Sequence, residues 1–560
     1  MSIPMPQSPA SIEPARRLTR DDAWTALGLG VFDVLVIGGG ATGAGVARDA
    51  ALRGLRTALV ERDDFASGTS SRSSRLIHGG VRYLEHGYFH LVFEASRERR
   101  TLMRIAPHLV RPLAFTWPVY AGARVPRWKL GAGLLLYDAL ALFRNVSRHR
   151  SLSAQAVLAA EPALRPDGLQ GGARYYDAAT DDARLTLATA MAAAEAGAVV
   201  LNHAAVRGLT HALSNKGVVV RDAIGGGEQT VAARVVVNAA GPWTDSVRRF
   251  DDPAATPSVL GSKGVHLAVP AARVGNRGAV TLLSAVDGRV MFVLPASNQT
   301  IIGTTETATD ASPDEVRATE GDVTYLLESV NACFPGARLE RGDVISAWAG
   351  IRPLIAAGPG QDDPGNASRE HAIHTSPTGV ITVSGGKLTT YRSMAAETVD
   401  VVERALDRTP ALSRTAMIPL PGAELLISRA AVDRMVVAAS RVAGSAPIGT
   451  RLVRAFGDRW PDVWTLAERD RALLVPLAPG LPYIAAEAAY AATHEMACTI
   501  ADVLMRRTHI AFETRDAGRA AARLTAAVLA PRLGWDGAET ARQLENYDRD
   551  AGRIFGIDRE

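Results

Sequence analysis

Three glycines at Gly38, Gly40 and Gly43, a carboxylate at Glu61, two histidines at His78 and His266 and a set of arginines are the residues whose types and spacing could do chemistry. The glycines stand in Gly38-Gly39-Gly40-Ala41-Thr42-Gly43, between the apolar run Val34-Leu35-Val36-Ile37 and an Ala-rich segment leading to Thr57-Ala58-Leu59-Val60-Glu61. This order reads as strand, glycine turn, helix, strand, acid. Glycine permits the tight turn, the approach of backbone to a pyrophosphate and close packing of helix on strand, while the helix N-terminus supplies N–H donors and a positive dipole. Glu61 follows Gly38 by 23 residues, near the ~20 expected of an acid that accepts the two hydroxyls of an adenosine ribose. An acid there favours a free ribose, so the nucleotide is FAD or NAD and not NADP.

A second block begins at Asp64-Phe65-Ala66-Ser67-Gly68 and continues through Thr69, Ser70, Ser71, Arg72, Ser73, Ser74, Arg75, Leu76 and Ile77 into His78-Gly79-Gly80-Val81-Arg82-Tyr83. A hydroxyl-rich stretch running into His-Gly-Gly makes a poor linker and a good pocket wall. Its hydroxyls can donate to phosphates, and its paired glycines let backbone approach a flat ring. Two further segments have the shape of cofactor walls. Val235-Val236-Val237-Asn238-Ala239-Ala240-Gly241 is an apolar strand ending in small residues, suited to an adenine or ribityl chain. Ser384-Gly385-Gly386-Lys387 follows the strand Gly379–Val383 and opens a helix running through Tyr391 to Val402. Such a helix start, aimed at a flavin, would stabilise an anionic reduced ring.

A small phosphorylated substrate needs fixed positive charge, and arginine offers a bidentate fork. Arg82, Arg352 and Arg369 are the candidates. Arg352 lies in Trp348-Ala349-Gly350-Ile351-Arg352-Pro353-Leu354, where burial among apolar neighbours without an anion would be costly. Alcohol oxidation also needs a base with a near-neutral pKa, for which histidine is the usual choice. Spacing does not separate His78 from His266; His78 is taken as the base and His266 as the group that orients the substrate.

The elements that must position these residues follow from length and composition. A chain of 560 residues, 47% hydrophobic and 21% charged, should bury large cores and divide into roughly three domains. The net charge of +4 comes without Lys/Arg blocks, which disfavours a nucleic-acid surface and permits weak attraction to anionic lipid. Cys333 and Cys498 form no CxxC, so a reducing compartment is expected, no metal site is, and any redox centre is organic. Met1 to about Leu18 reads as a mobile tail without a secretory core, and Thr19-Arg20-Asp21-Asp22 caps a short helix through Leu27. No run reaches the ~20 apolar residues that span a bilayer. The nearest, Leu130 to Phe143, has Arg127 and Lys129 before it and Arg144 and Arg148 after it. It reads as a buried helix or as an interfacial one whose cations meet lipid phosphate.

The segment Gly68-Thr69-Ser70-Ser71-Arg72-Ser73-Ser74-Arg75-Leu76-Ile77-His78-Gly79-Gly80-Val81-Arg82-Tyr83-Leu84-Glu85 strongly resembles the FAD-dependent, quinone-linked glycerol-3-phosphate dehydrogenases. The likeness continues at Asp181-Asp182-Ala183-Arg184-Leu185, Asn238 to Trp243, Lys263-Gly264-Val265-His266, Ala349 to Leu354 and Ser384 to Tyr391. It covers about residues 31 to 405, with a looser match at His494-Glu495-Met496 and Asp502 to Thr508. Arg75 departs from the family, which usually has lysine there.

The resemblance implies FAD held by Gly38, Gly40, Thr42, Gly43, Glu61, Thr69, Ser70, Ser71, Ser74, Arg75, Leu76, Ala240, Gly241, Gly386, Lys387, Leu388 and Thr389. It places Arg82, Tyr83, His266, Arg352 and Arg369 around the substrate, with Lys387 near the flavin. It implies oxidation of sn-glycerol 3-phosphate to dihydroxyacetone phosphate with electrons passed to membrane quinone, at the inner face of the cell membrane; it leaves room for a homodimer. An oxidase that returns electrons to oxygen is the alternative. A structural or tRNA-modifying flavoprotein is disfavoured by the charge balance and the arginine set.

The expected fold is α/β: a Rossmann-type FAD-binding domain with an inserted α+β substrate domain and a C-terminal helical domain. The boundaries are a tail and short helix at 1–30, a discontinuous flavin domain over 31–405 with insertions at about 111–170 and 260–345, and helices over 406–560. Pro419-Leu420-Pro421-Gly422 is the expected linker. In the last part Met496, Ile500, Val503 and Leu504 form an apolar helical stripe assigned to the core, with Asp502 beside it and Arg506-Arg507 as cations at its end.

Overall fold

The computed structural model describes residues 19–211, 215–355 and 370–559. The expected tail, Met1 to Leu18, lies outside the described residues, and the helix after it is Arg20–Leu27, capped by Thr19 accepting from the Asp22 N–H.

Two sheets organise the chain. The first runs, in space, His371–Thr375, Val380–Gly385, Glu228–Asn238, Val31–Ile37, Thr57–Val60, Val199–Leu201. Five of these strands pair in parallel; His371–Thr375 joins antiparallel at one edge, and Lys216–Asp222 and Ala204–His211 extend Glu228–Asn238 as an antiparallel branch. Parallel strands need cover on both faces, hence the near-continuous apolar runs; Val34, Leu35, Val36, Val236 and Val237 are fully buried. Helix Ala41–Leu52 packs against Asp182–Glu195 and Tyr391–Ala405. The glycine turn makes the first helix possible: Gly38 has φ +110°, and a Cβ on Gly43 would lie 1.9 Å from the Gly38 carbonyl oxygen. This is the Rossmann-type arrangement expected.

The second sheet is mainly antiparallel and larger, with the long ladders Val110–Tyr120 on Leu169–Thr180 and Val259–Pro270 on Ser346–Ile355. Chain order groups the strands at 169–180 and 346–355 with the flavin segments, yet both hydrogen-bond in this sheet. Pairing partner, not order along the chain, decides membership, and each finds a full-length antiparallel neighbour here.

The last third is helical: Arg429–Ala443, Ala446–Phe456, Trp460–Arg469, Ala485–His494, Arg519–Leu533 and Gly537–Phe555. It docks on the second sheet through Trp348 and Phe512, whose rings meet edge to face at 5.1 Å. The expected stripe is buried, but it is not one helix. Met496 has φ 55° and precedes the helical turn, which is wound as a π-helix over Asp502–Arg507. Arg506 and Arg507 are not helix-end cations in solvent. Arg506 Nε donates to Asp64 at 2.6 Å, Arg507 donates through both terminal nitrogens, and Asn202 Nδ2 adds a fourth contact at 2.9 Å. All four groups are buried, and a buried charge must be paired.

Asp64→Asn removes the common counter-ion of two buried guanidinium groups. A stability loss of about 3–5 kcal/mol is expected, read as a lowered urea midpoint. Asp63→Asn, at an exposed pair, should move it by less than about 1 kcal/mol.

Candidate active site

A cavity of about 540 Å³ runs from the glycine turn to the start of helix Tyr391–Ala405, between the two sheets. At one end stand Gly38, Gly40, Thr42, Glu61, Thr69 and Ser70; along it lie Ser74, Leu76, Ala240 and Gly241; at the other end are His78, Tyr83, His266, Arg352, Gly386, Lys387, Leu388 and Thr389. Three residues expected to touch the cofactor do not line the cavity. Gly43 acts one layer below, in the helix–strand contact already described. Ser71 is buried behind its turn. Arg75 points away, its guanidinium 5.7 Å from the Trp348 ring and 5.0 Å from that of Phe512. The cation lies near two rings set edge to face to each other, a favourable place for a guanidinium. Arg82 belongs to the turn Val81–His86, but its side chain, like all of Arg369, lies outside the described residues.

The phosphate end is built from backbone. The N–H of Ala41, the first residue of its helix, donates to Ser70 Oγ at 3.0 Å, so a hydroxyl already sits at the helix N-terminus where an oxyanion is favoured. Glu61 accepts from the Gly39 N–H at 2.6 Å and the Asp63 N–H at 2.9 Å. Burial, then the neighbouring Asp63 charge, raises its pKa to about 7. The serine-rich turn is pinned from behind: buried Asp182 accepts from Ser73 through Oγ at 2.6 Å and N–H at 3.1 Å, and burial raises its pKa to about 6.

The far end follows from strand register. His266 faces Trp348, Gly264 faces Gly350 and Ser262 faces Arg352. Alternation puts these pairs on one side of the sheet, with two glycines between a histidine and an arginine. The Arg352 guanidinium fills part of that gap, since a Cβ on Gly264 would lie 2.5 Å from it, and it donates to Thr304 Oγ1 at 3.0 Å. His266 stacks on Trp348 at 5.6 Å, and its Nε2 lies 2.8 Å from Ser74 Oγ. Its Nδ1 is buried without a partner among the described residues. Burial, with Arg352 and Arg75 close by, lowers its pKa to about 3. On the opposite wall the His78 backbone is braced both ways by Thr389 Oγ1, at 3.2 Å each. The Lys387 ammonium lies 3.4 Å from the centre of the Tyr83 ring.

Sequence reasoning missed Trp348 as the platform under His266, Asp182 as the clamp on Ser73, and Arg72 as part of the cavity lining. Trp348 carried a signal, because it alternates with Gly350 and Arg352. Asp182 lay in a segment already singled out. The donor set, the side-chain-free turn and the cavity length fit a dinucleotide such as FAD.

Comparison with known proteins points the same way. The family described as FAD dependent oxidoreductase matches residues 33–392, and that described as the C-terminal domain of alpha-glycerophosphate oxidase matches residues 413–540. The chain is 40% identical to glycerol-3-phosphate dehydrogenase 2 of Mycobacterium bovis, over 96% of this chain and 90% of that one. It is 38% identical to the mitochondrial glycerol-3-phosphate dehydrogenase of Macaca fascicularis, over 92% of this chain and 72% of that one. Among solved structures, the glycerol-3-phosphate dehydrogenase of Bacillus halodurans complexed with FAD superposes with a TM-score of 0.77 at 33% identity, covering 96% and 97% of the two chains.

Two substitutions test the phosphate end. Gly43→Ala should give protein without visible flavin absorbance, because the added carbon displaces the turn. In flavin-free protein Glu61 binds its proton more tightly folded than unfolded, so its contribution is present below about pH 4.5 and lost as pH rises through about 7. Glu61→Gln should therefore stabilise the flavin-free protein at pH 8, by on the order of 2 kcal/mol, with little effect at pH 4.5, while weakening flavin binding. Chemical denaturation at the two pH values checks the sign.

Proposed function

Because this chain belongs to the family of FAD-dependent glycerol-3-phosphate dehydrogenases, we propose that it oxidises sn-glycerol 3-phosphate to dihydroxyacetone phosphate at the His78, His266 and Arg352 end of the cavity and passes the electrons to membrane quinone. The observation that carries this reading is the ladder that sets His266 and Arg352 on one face with Gly264 and Gly350 between them. It sets a fixed guanidinium and a rigid imidazole on one wall of the flavin cavity.

Held between the glycine turn and Gly386 to Thr389, FAD would supply the acceptor for the C2 hydride. The chain supplies everything else. Arg352, held by Thr304, turns its guanidinium fork to the substrate phosphate, and Arg82 and Arg369 are proposed to join it. The hydroxyl proton is taken by His78, whose turn is braced by Thr389. His266 is poorly suited to proton abstraction, since its Nε2 is engaged by Ser74, its Nδ1 is sealed, and its pKa near 3 keeps it neutral and weakly basic. Its contribution is to orient Ser74 and keep the Arg352 wall rigid. Lys387, over Tyr83, adds positive charge where negative charge develops on reduction.

For the acceptor, the helix Arg127–Leu140 supports quinone. Leu130, Leu134 and Tyr137 are buried, whereas Trp128 is 76%, Leu135 56% and Phe143 50% exposed, with Lys129 and Arg148 nearby. An apolar face beside cations suits an anionic lipid surface. Among the described residues no helix is long and apolar enough to cross a membrane.

Anaerobic addition of sn-glycerol 3-phosphate should bleach the flavin, and a soluble quinone should restore it much faster than oxygen does. Equal recovery in oxygen, with peroxide formed, establishes the oxidase instead; no bleaching overturns the substrate. Arg352→Gln should lower kcat/KM about a hundredfold, the loss of roughly 2–3 kcal/mol of charge-assisted hydrogen bonding. His78→Asn should slow bleaching by about 10²–10⁴ with flavin retained. A comparable loss in His266→Asn accompanied by disappearance of the pH dependence would exchange the two histidines.

A further inference from the structure

Beside the flavin cavity, behind the loop that follows Glu61, lies a second cavity of about 340 Å³, closed on its far side by the last helix, Gly537–Phe555. Arg62, Ser67, Arg72, Trp243 and Asp314 line both. Its charges do not balance. Arg62 is paired with Asp314 at 2.6 Å and Asp63 at 3.1 Å, Arg506 with Asp502 at 2.6 Å and with Asp64, and Arg553 with Asp550 at 3.2 Å. Every carboxylate in the wall is thereby taken. Arg72 is only 9% exposed, and its guanidinium makes no hydrogen bond or ion pair with any described residue. Arg549, across the cavity, donates among the described residues only to Asn546 Oδ1, at 3.2 Å.

A nine-tenths buried arginine without an anion is costly. Arg72 lines the second cavity as well as the first; burial, with Arg553 and Arg506 close by, brings its pKa down to about 10 against the pull of Asp63 and Asp314, neither of which it pairs with. Its fork matches two oxygens of a tetrahedral oxyanion. The Asn546 amide on the last helix and the Ser67 hydroxyl on the facing loop offer further donors, and the volume exceeds that of a bare ion.

We propose that this cavity is a binding site for a phosphoryl group, either inorganic phosphate or a small phosphate monoester, held by Arg72 from the flavin domain and Arg549 from the C-terminal helix. Occupancy neutralises Arg72 and ties the serine-rich turn of the flavin wall to the last helix.

Radiolabelled inorganic phosphate in equilibrium dialysis against the FAD-loaded enzyme tests this site. FAD then occupies its own cavity, and Arg352→Gln removes phosphate held by the substrate end. One phosphate per flavin should remain in Arg352→Gln, bind at least tenfold more weakly when Arg72→Gln or Arg549→Gln is added, and be unaffected by Arg124→Gln at a surface pair. Retained flavin absorbance shows that each variant is folded, and Arg549→Gln, on an exposed helix face, keeps the test open if Arg72→Gln does not fold. Absence of phosphate from Arg352→Gln, or binding indifferent to Arg72 and Arg549, overturns the site. sn-Glycerol 3-phosphate competing at similar concentration makes the ligand a monoester; failure to compete makes it free phosphate. Flavin bleaching by substrate reads the reaction separately, so loss of either reading leaves the other standing.

Discussion

The fold depends on one carboxylate. Asp64 is fully buried, three residues beyond Glu61, and it is the counter-ion for both Arg506 and Arg507 as well as an acceptor for Asn202. The residues after it close the nucleotide end: Phe65 packs against Gly39, the Ala66 N–H donates to the Gly39 carbonyl, and Ser67 approaches the Glu61 carboxylate. The ion hub therefore fixes the glycine turn and the C-terminal helices with the same atoms. Buried pairs of this kind add little net stability over an apolar contact of equal size, because desolvation consumes most of the Coulombic gain, but breaking one is costly. Its effect is to make one docking geometry of the helical domain the only inexpensive one.

A second consequence runs through Trp348. On one side it carries His266, on the other it meets Phe512 and, with it, the Arg75 guanidinium. Ser346, two residues earlier, donates to the Phe512 carbonyl at 2.6 Å. The His266 wall is thus packed between the second sheet and the helical domain, and His266 loses its basicity because that packing excludes water. The same burial that makes it a poor base makes it a stiff wall.

The sequence carried the first βαβ unit well, since glycine spacing, an apolar strand and an acid at the right distance are local signals. Most of the cavity wall was equally legible, because its residues cluster in contiguous stretches such as Thr69 to Tyr83 and Ser384 to Thr389. What could not be read were partners far apart in the chain. Arg506 and Arg507 look like helix-end cations until Asp64, 442 and 443 residues away, is placed beside them. The strands at 169–180 and 346–355 look like flavin-domain strands until their antiparallel partners are known. Arg72 looked like one more residue of a polar loop, and only burial without a partner marks it.

The exposed apolar helix poses a last question of physics. An unsatisfied apolar face could mean that the helix awaits an internal partner, but its underside is fully committed. Tyr137 donates to Asp177 at 2.6 Å and accepts from the Gly79 N–H at 3.0 Å, and Arg99 closes the group by donating to Tyr137 at 2.6 Å. A Cβ on Gly79 would sit 2.3 Å from the Tyr137 hydroxyl, so the approach of turn to helix is as close as glycine allows. Rotating the helix to bury Leu135 or Trp128 would withdraw the Tyr137 hydroxyl from the buried Arg99–Asp177 ion pair and take a buried hydrogen bond from each partner. The apolar face is therefore held outward by a polar network on the inner face. Because that network includes the residue next to His78, the helix and the His78 turn are held in one fixed relation.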